Sequence, residues 1–255
     1  MVWLVAFLIR QVLTMRDLFH FYHVYADPAG LWHEVVNDHF EACEKSGLLD
    51  VLSGPVRIGV VGAQKDRYAV YAQLDRGFRD DYRIKGSAVE GFEQVTLFPL
   101  WCEMGGLTNG AVLYSHTKGV AHPSVRQDDW RRKMTAEVVG RWDRCAAILD
   151  IGAADLVGSY RIVNDGEAQA AFGDGADAVA AGLNAELGID LPVGPVFPEV
   201  GQSIYAGNFW WATSQWVASL DAPAVRSRYD AETWIGGPNQ DGVLPTNYNL
   251  AEWIT

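Results

Sequence analysis

Apolar positions along the chain switch between two spacings. Phe19 to Tyr25 reads FHFYHVY, aromatic and partly alternating, and ends at Ala26-Asp27-Pro28. That predicts a first strand followed by a turn. Leu31, Val35, Val36, Phe40 and Cys43 then fall at helical spacing until Gly47 stops the pattern. Val56 to Val61 is a compact apolar run closing at Gly62, a second strand. Strand, helix and strand in this order predict a right-handed βαβ unit and a parallel sheet. Ala111 to Tyr114 is a further strand. Asp128 and Asp129 stand where a helix start favours carboxylates. One helix is expected onward through Trp130, Met134, Val138, Trp142, Cys145 and Leu149. Asp155 to Val163 reads as a strand, and Trp210 to Leu220 as an apolar helix. Glu167 to Leu187 is Ala- and Gly-rich, a peripheral helical insertion or a mobile loop. Pro192, Pro195 and Pro198 mark a rigid connector before the last elements.

Composition narrows the class. The 255 residues suffice for one large α/β domain, and the apolar share of 49% against 20% charged is ordinary for a globular core. A net charge of −12 with no basic block removes general nucleic-acid binding, which needs a positive footprint for phosphates. Cys43, Cys102 and Cys145 have no CxxC spacing, which predicts buried free thiols in a reducing cytoplasm rather than a disulfide or zinc framework. Residues 1–18 form an apolar extension. Its run Val2 to Ile9 is too short for a transmembrane helix. An interfacial helix touching a membrane through residues 1–13, a helix packed on the body, and a leader with Met15 as the functional start all fit it. Residues 19–255 are expected to form a single domain.

Two strings carry unexpected polar chemistry. The first is Leu113-Tyr-Ser-His-Thr-Lys-Gly119 and the second Ala206-Gly-Asn-Phe-Trp-Trp-Ala212. Open α/β sheets bind ligands beyond the carboxyl ends of their strands. The residues expected there are His23 and Tyr25 after the first strand, Gly62 after the second, and Ser115, His116, Thr117, Lys118 and Gly119 after the fourth. Arg131, near the next helix start, adds positive charge, a combination able to hold a diphosphate. A surface lysine beside a capped helix start is the plain alternative. Asn208 can bond a hydroxyl pair while Trp210 or Trp211 stacks on a sugar face; a core Trp pair with Asn208 as a helix cap explains the string equally well. Asp230 and Glu232 stand near Trp234, where a carboxylate beside an aromatic ring can serve as a base. His20, His33, His39 and His122 show no HExxH or paired-ligand spacing.

Taken in order, these strings resemble bacterial and phage proteins related to polysaccharide-biosynthesis glycosyltransferases. The likeness runs from Phe21-Tyr-His-Val-Tyr25 through Ser46-Gly-Leu-Leu49, Glu93-Gln-Val-Thr-Leu97, Val112 to Gly119, Trp130-Arg131 and Met134. It closes on Gly207-Asn-Phe-Trp-Trp211 and Glu232-Thr-Trp-Ile235. The resemblance implies a GT-A-like, Rossmann-type fold with a mixed, mostly parallel sheet flanked by helices. It implies a nucleotide-sugar half over 19–165 and an acceptor half over 166–255. It further implies transfer of a sugar from a UDP- or GDP-sugar to a glycan or protein hydroxyl in the cytoplasm, the host's if the protein is phage-encoded. The Ser115–Lys118 run stands where many such enzymes carry a metal-binding Asp-x-Asp, which this chain lacks. Manganese or magnesium is therefore an open option. Lys118, His116 and Arg131 are the groups expected to replace the cation, and Glu232 matches the acceptor-activating base. A catalytically silent carbohydrate- or nucleotide-binding module on the same fold is the competing expectation. A phosphoryl-transfer or hydrolytic enzyme using His116 and Lys118 is a third.

Overall fold

The computed structural model describes residues 17–78, 80–117, 119–121, 123–159, 161–163, 203–205, 207–224 and 230–250. For 161–163, Ser203, Ile204 and Glu232 it describes the backbone alone. The strands are β1 (Asp17–Tyr25), β2 (Val56–Val61), β3 (Tyr82–Ala88), β4 (Gly110–His116), β5 (Leu156–Gly158), β6 (Arg161–Val163), β7 (Ser203–Tyr205), β8 (Trp210–Thr213) and β9 (Asn247–Asn249). The helices are α1 (Trp32–Ser46), α2 (Leu48–Val51), α3 (Gln64–Gly77), α4 (Gln94–Met104), α5 (Val125–Val138), α6 (Trp142–Asp150), α7 (Ser214–Ser219) and α8 (Asp230–Trp234).

Seven strands form one mixed sheet in the order β3-β2-β1-β4-β8-β5-β9. β3, β2, β1 and β4 run parallel, β8 is antiparallel to both β4 and β5, and β9 is parallel to β5. β6 and β7 pair separately. Alternation along β1 and β4 divides two buried faces. Tyr22, Val24, Ala111 and Leu113 pack with α1, α3, α5 and α6. Phe19, Phe21, Val112 and Tyr114 pack with α4, α7 and α8 on the other face. The sheet is thus flanked by helices, in an order compatible with a Rossmann-like fold.

The first half follows the periodicity closely. α1 stops where Gly47 turns left-handed at φ 74° and its N–H reaches back to the carbonyls of Cys43 and Glu44. β1 begins at Asp17, two residues before the expected start. Four elements had no clear signal: the short α2, α3, the half-exposed β3, and α4.

The second half corrects three expectations. The helix expected through Leu149 is two, because Val139-Gly140-Arg141 breaks it. A side chain on Gly140 would stand 2.5 Å from the Ala136 carbonyl oxygen. The helix start is capped by Ser124, whose hydroxyl accepts from the Gln127 N–H at 3.1 Å, while Asp128 sits within the first turn. Asp155 to Val163 divides into β5 and β6, since the ring of Tyr205 lies 2.5 Å from where Gly158 would carry a Cβ. Trp210 to Leu220 is a strand and then a helix, and Thr213 caps the helix by accepting from the Trp216 N–H. The two expected halves also share one sheet, because β8 inserts between β4 and β5. Residues 164–202, with the alanine-rich stretch and the prolines, lie outside the described residues, as do residues 1–16. No described helix is long and apolar enough to cross a membrane.

Candidate functional site

The crossovers leaving β1 and β2 carry α1 and α3 on one face, while the crossover entering β4 carries α4 on the other. The chain therefore reverses its winding between β1 and β4. A crevice opens beyond the carboxyl ends at such a switch point, and open α/β sheets bind ligands there. His23 of β1 and His116 of β4 are register partners at this edge, on the same face. Tyr25 ends β1 and is 37% exposed at the rim.

Beneath the rim lies a buried polar network centred on Glu93, at the start of α4. One Glu93 carboxylate oxygen, Oε2, accepts from the Tyr114 hydroxyl and from Asn208 Nδ2, the latter at 2.6 Å. The other, Oε1, stands 3.7 Å from His116 Nδ1, an ion pair when the imidazole is protonated. His116 Nε2 donates to the Gly207 carbonyl at 2.7 Å, which fixes that nitrogen as protonated. Asn208 Oδ1 accepts from Trp210 Nε1 at 2.6 Å. Through Glu93 the two strings of the sequence become one unit.

His23 supports the network from below. Its Nδ1 lies 2.8 Å from Thr96 Oγ1. Burial lowers its pKa to about 4; His116 acts in the same direction and Glu93 opposes both. The imidazole therefore stays neutral over the physiological range.

Several residues expected at the ligand are structural instead. Thr117 is buried and stitches β4 to β1: its N–H donates to the His23 carbonyl at 3.0 Å, and its hydroxyl accepts from the Tyr25 N–H at 2.9 Å. Gly62 lets the chain after β1 approach β2, since a Cβ there would stand 2.7 Å from the Ala26 carbonyl oxygen. Ser115 points away from the crevice, to His20 and His39 on the α1 face. Arg131 is buried and held by Asp38 and Asp128, which also bind Arg132, so no ligand is needed to neutralise it. Trp210 and Trp211 alternate across β8 and are buried in opposite cores. Trp210 stacks on Tyr114, and Trp211 Nε1 donates to the Val138 carbonyl. Both are core residues and form no joint sugar wall. Asn208 caps no helix; it turns the chain at φ 55°, fully buried.

Gly119, at φ 85°, comes three residues after β4 and packs toward α5, where an added Cβ would stand 3.2 Å from the Gln127 Cβ. Lys118 falls outside the described residues. Asp230 opens α8, which packs on β7, just past the carboxyl end of β5. The far end of α8 is tied to α7 and the segment after it, by Trp216 Nε1 to the Ile235 carbonyl and Trp234 Nε1 to the Asp221 carbonyl; Glu232 lies within this helix. Glu93 was legible only as part of a string, because its partners come from distant positions. Cys43 and Cys145 are buried as expected, whereas Cys102 is exposed.

Two surface hollows lie at the opposite edge. One, of about 230 Å³, opens by Thr108, Asp150, Asp155 and Thr213. The other, of about 220 Å³, lies by Gly54, Val56 and Asp81. Both face the amino ends of the parallel strands, away from the switch point, and neither gathers the network described above. We place the site in the crevice for that reason.

A family model described as a domain of unknown function (DUF8361) matches residues 21–159. The span includes β1 from Phe21 onward, β4 and Glu93, and it stops before the Gly207–Trp211 string. No curated protein matches the chain.

Proposed function

The chain belongs to the DUF8361 family, and we propose that it is a GT-A-like glycosyltransferase moving a sugar from a nucleotide donor to a hydroxyl acceptor. The observation that carries this reading is the reversal of winding between β1 and β4, the place where open α/β sheets bind ligands, with the Tyr25 ring exposed at the end of β1. The base or sugar of the donor stacks on Tyr25. The diphosphate lies toward Gly119 and Lys118, whose charge stabilises the leaving group in place of an Asp-x-Asp cation. Glu93 and His116 hold the Gly207–Asn208 turn that closes the crevice on one side. Glu232 serves as the base that takes the acceptor proton.

A panel of UDP- and GDP-sugars tests this by thermal shift and by release of the nucleotide diphosphate. At least one donor should stabilise the protein and turn over. Tyr25→Ala should weaken its binding roughly five- to a hundredfold, the worth of one base–aromatic stack. Glu232→Gln should keep donor binding and lose turnover. If no donor binds, or if Tyr25→Ala leaves affinity unchanged, the reading is wrong. A silent binding module is the second reading. It is favoured by the internal satisfaction of Glu93, which is tied to Tyr114 and Asn208 rather than open to a substrate. Stabilisation without turnover in the same panel would select it.

A further inference from the structure

On the opposite face of β1 and β4, three polar groups converge inside the core. His20 of β1, His39 of α1 and Ser115 of β4 are all at most 3% exposed. His20 Nε2 lies 2.9 Å from Ser115 Oγ, and His39 Nε2 lies 3.3 Å from both His20 Nε2 and Ser115 Oγ. Cys43 stands one turn after His39 on the same face of α1. One ligand atom from each of His20, His39 and Cys43 lies within 4.8 Å of the other two.

Hydrogen bonding accounts poorly for this triangle. Each imidazole nitrogen offers one in-plane direction, a proton or a lone pair. Here both Nε2 atoms have two neighbours at bonding distance, so neither can aim well at both. Protonating either ring would bury a positive charge in an apolar core. Two buried polar atoms beside the triangle lack any partner among the described residues, His20 Nδ1 and the Tyr22 hydroxyl. Tyr22 is the register partner of Ser115, and its ring stacks on His39 at 4.1 Å.

The distances suit a metal ion instead. Two nitrogens held by zinc at about 2.0–2.1 Å in a tetrahedron stand about 3.3–3.4 Å apart. The Nε2–Nε2 separation of 3.3 Å matches that edge. The geometry points to a structural site for a borderline-soft divalent cation of zinc's kind, bound by His20, His39 and Cys43 with Ser115 Oγ or a water as fourth ligand. Nitrogen and sulfur ligands in a tetrahedral set favour zinc over magnesium or calcium. Binding releases one proton, from the Cys43 thiol, and leaves the imidazoles neutral with their lone pairs on the ion. The nearby Arg131 is already neutralised by Asp38 and Asp128, so it adds little repulsion. The ion would pin α1 to the two strands that carry the crevice. It stands apart from the transferase reading and survives that reading's failure.

The test uses the full chain, unfolded and refolded with zinc, with cobalt(II) or with a chelator. The expected result is about one equivalent of zinc retained after desalting. The melting temperature should lie roughly 5–10 °C above the chelated protein when free zinc exceeds its Kd a hundredfold. The cobalt form should show tetrahedral ligand-field bands and a thiolate-to-cobalt charge-transfer band. Cys43→Ser should lose the charge-transfer band. If that variant does not fold, the wild-type cobalt spectrum alone decides. Less than about a tenth of an equivalent retained, with no shift in melting temperature, overturns the site. An octahedral cobalt spectrum without thiolate charge transfer overturns it too.

Discussion

Asn208 combines two requirements that few residues meet together. It holds φ at 55°, and its amide bonds Glu93 on one side and Trp210 on the other. Asn208→Ala should cost about 3 kcal/mol or more. Two buried polar groups lose partners at about 1–3 kcal/mol each, and alanine pays about 1 kcal/mol in the left-handed region. The melting temperature should fall by roughly 6–12 °C. Asn208→Gly, which removes only the hydrogen bonds, should be about 1 kcal/mol less damaging. Equal melting temperatures for the two variants would show that the backbone carries no strain there.

His23 gives the residue scale its pH dependence. Its folded pKa, about 4, lies below the unfolded value near 6.5. Between these values the unfolded chain binds a proton that the folded chain refuses, so acid favours unfolding. Stability from His23 is complete above about pH 6.5. It falls by about 1.4 kcal/mol per pH unit toward pH 4, about 3 kcal/mol in all. Glu93, which raises this pKa, and His116, which lowers it, are the ionisable groups facing it, and burial is the largest cause. Unfolding free energies of wild type and His23→Gln from urea titrations should therefore converge by that amount from pH 7 to pH 4. A constant difference across the range would contradict the assignment.

At the scale of elements, α4 sets the geometry of the site because two glycines let it touch the sheet. A Cβ on Gly59 would stand 2.0 Å from Thr96 Oγ1, and one on Gly86 would stand 2.1 Å from the Val95 carbonyl oxygen. Gly86→Ala must lift the first turn of α4 and with it Glu93. A cost above about 2 kcal/mol is expected, read as a lower melting temperature. Gly77→Ala, at the open end of α3 with nothing within 4 Å, should be neutral or slightly stabilising. Similar losses for both variants would remove the close approach as the cause.

The same elements explain what the sequence could tell. β1, α1, β2 and β4 were legible because their apolar spacing is long and regular. Trp210 to Leu220 was not, because a short apolar run fits a buried strand and a buried helix alike. Only pairing with β4 and β5 decides for the strand. The strings around His116 and Asn208 were legible as unusual, yet their connection was not, since it passes through Glu93, 115 residues before Asn208 in the chain. Arg131 misled for a related reason: Asp38, its partner, lies 93 residues away. His39 and Cys43 hid their shared helix face for want of His20, which comes from a strand.

At the scale of the whole molecule, one mixed sheet carries two polar centres on opposite faces of the same strand pair. The crevice side joins β1, β4 and α4 at the switch point, and the α1 side holds His20, His39, Cys43 and Ser115. The chain carries a net charge of −12. On the proposed reading, an anionic donor is held by local charge and by stacking, not by a general field. The most direct test is a crystal structure of the protein soaked with UDP or GDP. The account predicts diphosphate density beyond the carboxyl ends of β1 and β4, beside Gly119 and Lys118, with the base or ribose against Tyr25. Nucleotide density at another edge of the sheet, or none in the crevice at saturating concentration, would contradict it.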